Sequence, residues 1–365
     1  MMSPFYDVVI TRISQCSICG ESTDSFWDTI LLKKDFSVQF NERTGRFMYF
    51  VDGAKGVKNK YQHFIKTALT PLLNHFDEDR INLIVGSSFG DHSGILEGAD
   101  SLFPSRKAIE KLLDRKLAFY CNISTSCTSS LNAIGYGYHL IKTGQLQHVI
   151  VGGCEALDDY IISGMDVLRV LSKKKRSTPF TASRDGTTLG EGAAFVVLQR
   201  MDNAVRAHEE ILAEVKGYAN SNDAYDITRP DMTGLGLITT MRECLGEIDP
   251  QNVKYVNSHG TGTLYNDIME TNALKAIFST NITTSTIKPV IGHSLGACGA
   301  FETLACVLCL QNQIIPPTCS DGESDAACDL DYCFKKPRKA AVDYVINNSV
   351  GFWGTNASLL LRKFK

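Results

Sequence analysis

Three stretches of this sequence carry a sulfur and two imidazoles, the first two at the ends of β-type runs, the residue types of a thiol nucleophile and its proton-handling partners. The first is Ile123-Ser-Thr-Ser-Cys127-Thr-Ser-Ser-Leu131. Here a β-run ends, small hydroxyl residues turn the chain, and Cys127 stands where a helix begins. A thiol at a helix N-terminus feels unpaired amides and the positive end of the macrodipole, which favour thiolate. The amide of Cys127 is also a donor suited to an oxyanion. The same residues equally suit a buried structural cysteine beside a serine-rich cap. The second stretch is Asn257-Ser-His259-Gly-Thr261-Gly-Thr263. Its glycines let the backbone turn sharply and let a ligand come close, with two threonine hydroxyls able to hold an amide-bearing chain. A lone strand-end histidine is commonly structural, and the Gly-Thr-Gly-Thr run after it shifts the balance towards chemistry. The third stretch is Lys288-Pro-Val-Ile-Gly-His293-Ser-Leu-Gly-Ala-Cys-Gly299, leading into a helix that carries Glu302. A partly buried Lys288 requires a counter-charge, and Glu302 is the candidate. A fourth stretch, Asn347-Asn-Ser-Val-Gly-Phe352-Trp-Gly-Thr-Asn356, is a glycine-rich turn between two β-runs.

The elements that must position these groups alternate between short β-rich runs and longer helical patterns, which argues for α/β layers around a largely buried sheet. Strands are expected over residues 7–10, 82–85, 118–123, 149–152 and 193–198, then 211–215, 255–258, 344–347 and 357–361. Helices are expected over residues 25–32, 105–114, 129–142, 233–245, 267–278 and 299–311, with Asp24 or Ser25 capping the first. A charged break at residues 200–210 divides the chain into 1–205, with the cysteine, and 206–365, with both histidines. The order of elements is similar in the two parts. Residues 318–333, acidic and rich in cysteine, suggest a surface loop.

The 365 residues are 44% hydrophobic and 21% charged with a net charge of −3, a globular composition with no pull towards nucleic acid. No apolar run reaches the eighteen or so residues of a membrane span, and residues 1–10 lack a signal pattern, so the cytoplasm is the expected location. The 12 cysteines are scattered, which fits reduced thiols better than a disulfide framework. Cys16/Cys19 and Cys306/Cys309 have CxxC spacing but lack a histidine or a redox setting, so core filling is expected of them and no metal.

Taken together and in this order, the four stretches resemble the β-ketoacyl synthase family of the thiolase-like superfamily, the condensing enzymes of fatty-acid and polyketide synthesis. The likeness extends to Pro179-Phe180, Arg184-Asp185-Gly186, Gly190-Glu191-Gly192 and residues 219–230, and is weakest before residue 120. It implies two similar βαβαβαββ halves stacked as a five-layered α-β-α-β-α sandwich, in a homodimer or a heterodimer with a second ketosynthase-like subunit. It implies that Cys127 takes an acyl group from a phosphopantetheine arm, with no permanently bound cofactor, the arm being carried by an acyl carrier protein. His259 and His293 would then act on a malonyl thioester, Lys288 and Glu302 would pair to orient the site, and Asp267 and Glu270 would support it. Thr261 and Thr263 would hold the arm, Phe352 would gate the acyl pocket, and the amides of Cys127 and Phe352 would face the oxyanion. Basic residues 173–176 would meet an acidic carrier protein.

The sequence departs from the family pattern at several points. It is short before Cys127, reads Thr11-Arg-Ile-Ser-Gln after the first strand, has Ser294 where threonine is commoner, and carries Trp353 in place of a glycine. An indole there would stiffen the gating loop or fill space. These departures suggest an atypical acyl pocket. A chain-length-factor-like partner subunit is a second expectation, and acyl transfer to an oxygen or nitrogen nucleophile a third. The presence of Cys127, His259 and His293 favours carbon–carbon bond formation.

Overall fold

A run such as Gly192-Ala-Ala-Phe-Val-Val-Leu198, apolar at consecutive positions, can be a strand only if both of its faces are covered. That is what the computed structural model shows, with residues 5–32, 38–76, 80–96 and 98–365 described. Ala194, Val196 and Leu198 face one hydrophobic cluster, while Ala193, Phe195 and Val197 face another. Residues 1–4 of the opening stretch lie outside the described residues.

The main sheet has eleven strands. The first five are β1 (Val8–Cys16), β2 (Arg80–Gly86), β3 (Lys116–Ile123), β4 (His148–Glu155) and β5 (Gly192–Arg200). After them come β6 (Ala213–Asn222), β7 (Val253–Asn257), β8 (Thr283–Ser285), β9 (Asp331–Tyr332), β10 (Tyr344–Gly351) and β11 (Thr355–Arg362). Their spatial order is β9-β8-β7-β10-β11-β6-β1-β5-β4-β2-β3. Read outward from the centre, β1-β5-β4-β2-β3 and β6-β11-β10-β7-β8 follow one recipe. In each, the first strand lies antiparallel beside the last, the last antiparallel beside the next to last, and the inner pairs are parallel. The two sets join where β1 pairs with β6 over Val8, Val9 and Ile10.

Helices α1 (Lys60–Leu73), α2 (Ser129–Lys142), α3 (Leu235–Leu245), α4 (Leu264–Phe278) and α5 (Cys298–Asn312) complete the layers. The sequence of α5 is apolar around its whole circumference, so it needs cover on all sides, and it is buried from Cys298 to Leu310. It lies beside α2 between the two sets of strands, touching β10 on one side and β5 on the other. Gly299 allows that approach: a Cβ there would lie 2.8 Å from the Cβ of Leu131. Helix α1 covers the outer face of β1 and β5, α3 covers β6 and β11, and α4 packs on α3. Helix, sheet, helix, sheet and helix follow one another.

Several elements differ from expectation. The first strand runs on to Cys16 through a bulge between Ile10 and Arg12. The first helix begins at Thr23 and is capped by neither Asp24 nor Ser25: the Ser22 hydroxyl accepts the Ser25 N–H at 3.0 Å. Helix α1 and strands β8 and β9 were not expected. Within residues 318–333, Cys319, Cys328 and Cys333 are buried, and Tyr332 stacks on Phe180 at 4.2 Å, so only part of that stretch is a surface loop. Residues Leu295–Asn312 are long and apolar enough to cross a membrane, and 89% of them are buried between the sheets, as in the core helix of a globular protein.

The central layer sets stability. Phe301 on α5 is fully buried and stacks on Phe26 at 6.2 Å. Phe301→Ala is expected to lower unfolding free energy by about 3–5 kcal/mol. Tyr225→Ala, at an exposed position, is expected to change it by under about 0.5 kcal/mol. Urea unfolding followed by circular dichroism measures both.

Candidate active site

Each chemical side chain lies on a loop that leaves the end of a strand or helix facing one cleft. Cys127 follows β3 and precedes α2, whose N-cap position is Thr128. Ser126 takes a left-handed φ of +57°, turning the chain abruptly so that the thiol points into the cleft. His259 follows β7, and His293 follows the short helix Lys288–Ile291. Two strand ends and one helix end thus converge, and Cys127 Sγ and a nitrogen from each imidazole all lie within 4.8 Å of one another. The two rings stand edge to face with centroids 5.2 Å apart.

Lys288 is buried beneath them at 1% exposure, deeper than the partial burial expected. Its ammonium meets Glu302 Oε1, the His259 carbonyl at 2.5 Å and His259 Nδ1 at 3.3 Å. Burial opposes the Lys288 charge most strongly, but Glu302, Cys298 and Glu270 together outweigh it and raise the pKa. Burial in turn pushes Glu302 up to about 7 against the pull of Lys288. An ammonium is a donor only, so Nδ1 of His259 must accept, and the proton of that neutral ring sits on Nε2. Burial first, then Lys288, drives both imidazoles well below their ordinary pKa, so both are neutral at pH 7.

Glu270 on α4 accepts the N–H groups of His259 at 2.7 Å and Gly260 at 2.9 Å. Asp267, one turn earlier, accepts from Gly262 at 3.1 Å and from Phe180 at 2.8 Å, which fixes the loop carrying Thr261 and Thr263. Those hydroxyls are 2.9 Å apart and line the cleft. Gly351 lies against the nucleophile: a Cβ there would come within 3.1 Å of the Cys127 amide nitrogen. Phe352 follows, lining the cleft and packing against the hydrophobic cluster that includes Met165 and Leu295.

The cleft, with the solvent space at its mouth, spans about 720 Å³ and opens past Arg229, whose guanidinium lies over the Tyr265 ring at 5.6 Å. Sequence inspection missed Arg229, Tyr265, Met165, Val170 and Thr187 in its walls. It also missed Glu155, which accepts from Ser88 N–H at 2.8 Å, Phe89 N–H at 3.0 Å and Gly296 N–H at 3.0 Å and so fixes the loop after His293. The run Gly152-Gly-Cys-Glu155, a charge closing an apolar strand, is the signal that marks it.

Two expectations need correction. The helix N-terminus does not give Cys127 a low pKa. Burial pushes the thiol up to about 11, against smaller pulls from the Ser126 hydroxyl and Lys288. Trp353 fills no space in the pocket: it is 63% exposed and takes up the glycine-like conformation itself, at φ +67°. Of the basic run 173–176, the Lys174 ammonium turns inward to the Ser183 hydroxyl at 3.0 Å, while Lys173 and Lys175 are exposed.

A cysteine and two histidines meeting at the junction of a duplicated, five-layered α/β unit define a condensing enzyme of the thiolase-like fold. Residues 119–204 match the family described as "Beta-ketoacyl synthase, N-terminal domain", and residues 212–320 match "Beta-ketoacyl synthase, C-terminal domain". The chain is 34% identical to the 3-oxoacyl-[acyl-carrier-protein] synthase 2 of Coxiella burnetii over 80% of its own length and 77% of that protein's. It is 32% identical to the tetracenomycin polyketide synthase ketoacyl synthase alpha subunit of Streptomyces glaucescens, over 79% of this chain and 75% of that one. A crystal structure of a β-ketoacyl synthase from Burkholderia phymatum superposes with a TM-score of 0.86 at 27% identity, covering 99% of this chain and 100% of that one. The chain belongs to the β-ketoacyl synthase family.

Two outcomes follow from the site's physics. With the thiol pKa near 11, alkylation of Cys127 by iodoacetamide, followed by peptide mass, is expected to rise about tenfold per pH unit from pH 7 to 10, because only thiolate reacts. A plateau below pH 8 would show a stabilised thiolate instead. Trp353→Gly is expected to raise unfolding free energy by about 1 kcal/mol by relieving the left-handed backbone, measured by urea unfolding.

Proposed function

We propose that the chain catalyses decarboxylative Claisen condensation between an acyl group on Cys127 and a malonyl thioester borne by an acyl carrier protein. The convergence of one sulfur and two neutral imidazoles within 4.8 Å carries this reading. The carrier protein supplies the phosphopantetheine arm, which enters past Arg229 and lies along Thr261 and Thr263.

In the first half-reaction Cys127 Sγ attacks the acyl thioester. Its proton must leave, since burial keeps the thiol protonated at neutral pH. His259 is committed as a donor by the Lys288 ammonium on its Nδ1, which leaves His293 to take that proton. The pantetheine sulfur departs as a thiol by taking that proton back from His293, which is neutral again, and an acyl-Cys127 thioester remains. In the second half-reaction malonyl loses carbon dioxide, and the bonding pair moves onto the thioester as an enolate. Ring N–H donors aimed at that oxygen stabilise it, each worth about 3 kcal/mol of barrier. Neutral rings suit this step, because each keeps one N–H. The carbanion attacks the acyl carbonyl, whose oxyanion faces the amides of Cys127 and Phe352, and collapse expels the Cys127 thiolate, which takes a proton from solvent to restore the thiol. Lys288, Glu302 and Asp267 act by position and field, with Glu270 beside them.

Chain-length-factor-like subunits commonly lack the nucleophile, so the presence of Cys127 favours the condensing role over the partner role. We take the outer edge of β3, where Phe119 and Tyr120 are part-exposed, to pair with a second ketosynthase-like chain. Exposed Lys173 and Lys175 suit an acidic carrier. Twelve free thiols suit a reducing cytoplasm.

Intact-mass measurement after incubation with acyl- and malonyl-carrier protein tests the reading. An acyl adduct on the native chain, absent in Cys127→Ala, and a product longer by two carbons are expected. His259→Ala should still form the adduct and extend it about a hundredfold more slowly. No adduct on the native chain would remove the assignment.

A further inference from the structure

Thr187 lines the same cleft as Cys127, His259 and His293, yet takes no part in the chemistry set out above. The residue is 2% exposed and its Oγ1 has no hydrogen-bond partner. A buried hydroxyl in that state is unfavourable on its own and is satisfied when a ligand arrives.

The backbone fixes where this hydroxyl stands. On one flank the Gly186 N–H donates to the Gly262 carbonyl at 3.0 Å, between Thr261 and Thr263. On the other the Thr188 carbonyl accepts the His293 N–H at 2.8 Å. The Thr187 N–H donates to the Val170 carbonyl, and its own carbonyl accepts from Ser172, each at 2.8 Å. Its main-chain groups are therefore satisfied and only the side chain is left. Thr187 lies between the hydroxyls that hold the arm and the imidazole beside the thioester, where the acyl end of an incoming thioester must lie.

For a malonyl unit that end is a carboxylate. It enters a cleft whose inner walls are Met165, Val170, Phe352 and two uncharged rings; of the cations beside it, Lys288 is engaged by Glu302 and Arg229 lies at the mouth over the Tyr265 ring. A carboxylate is acceptor-only, and a threonine hydroxyl has a proton to give. We propose that Thr187 Oγ1–H donates to the carboxylate of the extender unit, making Thr187 a substrate-binding residue that selects carboxylated thioesters over plain acyl thioesters. This rests on the ketosynthase reading of the same cleft. The contact holds an anion that becomes neutral carbon dioxide as the carbon–carbon bond breaks, so it belongs to the ground state. It therefore acts on KM more than on kcat.

The test uses amide analogues of malonyl- and acetyl-pantetheine, which resist thioester transfer, with binding measured calorimetrically to the full chain and to Thr187→Val and Thr187→Ser. The native chain is expected to prefer the malonyl analogue about tenfold or more, as for a hydrogen bond to a charged group. Thr187→Val should lose the preference and Thr187→Ser should keep it. In turnover, the loss in Thr187→Val should fall on KM for malonyl-carrier protein. Equal affinity of the native chain for the two analogues, an undiminished preference in Thr187→Val, or loss in Thr187→Ser as severe as in Thr187→Val would overturn the proposal. A Thr187-dependent preference in a chain that forms no acyl adduct on Cys127 would remove the condensing chemistry and leave the carboxylate contact standing.

Discussion

Lys288 and Glu302 bring opposite charges into a part of the molecule where each is 1% exposed, and the geometry of the cleft above depends on how that pair is resolved. Taking an isolated ammonium or carboxylate out of water costs several kcal/mol even after the protein relaxes. The two tolerate burial only because Glu302 is held on α5, the central helix, directly opposite the short helix bearing Lys288. The ammonium then has donors left over, and they go to His259: one to its carbonyl and one to Nδ1. The ion pair thus orients the ring and fixes its tautomer. Replacing Lys288 with an apolar residue of similar volume leaves Glu302 buried alone, with a pKa that rises further, and frees Nδ1 to take the proton that Nε2 needs.

The duplicated strand recipe explains why such a pair can sit there at all. Helices α2 and α5 occupy equivalent places in the two repeats, each following the third strand of its set. Stacking the repeats face to face puts both helices in the middle layer, the Ser130 hydroxyl accepting the Ala300 N–H at 3.0 Å. The nucleophile of one repeat at the head of α2 and the charged pair of the other at the head of α5 are then neighbours without long loops. Cys298 marks the contact, its thiol reaching the Cys127 carbonyl at 3.2 Å.

The sequence made the strands of this sheet and most of its helices legible because their apolar patterns are strong and long. Helix α1 carries Tyr61, Phe64, Ile65, Ala68, Leu69 and Leu72 at helical spacing and an Asn59 cap, yet Pro71 in its last turn argues against a helix there. Strand β8 has only three residues, all Thr or Ser, and no pattern of that length declares itself. Among site residues, those in glycine-flanked motifs stand out, since a glycine run reports an unusual backbone. Thr187 stands directly after Arg184-Asp185-Gly186 and Arg229 within residues 219–230, yet nothing in either stretch says which side chain turns into the cleft, and tertiary folding decides it. The thiol's pKa was misjudged from sequence because a helix N-terminus is visible in a string of residues and burial is not.

Buried carboxylates solve the problem these loops create. A loop beneath the surface has N–H groups that no ladder satisfies, and each must find an acceptor. Glu270, Asp267 and Glu155 are acceptor-only when ionised and can each take two or more N–H bonds, which they do for the loops after β7, before α4 and after His293. Burial pushes Glu270 and Glu155 up to about 7 while those same bonds pull them down, so the donors hold the charge and the charge holds the donors. Of the left-handed residues beside the cleft, Leu295 is held by Glu155 through the Gly296 N–H, whereas the Ser126 carbonyl accepts the Ser129 hydroxyl and the Trp353 N–H donates to the Ile227 carbonyl. Strain of that kind survives only where surrounding contacts over-determine the chain, and here two of the three strained residues adjoin a group of the cleft, Cys127 and Phe352. Left-handed residues also occur away from the cleft, as at Asp114 and His208, so what sets the cleft apart is the buried carboxylates that pin the loops carrying its histidines.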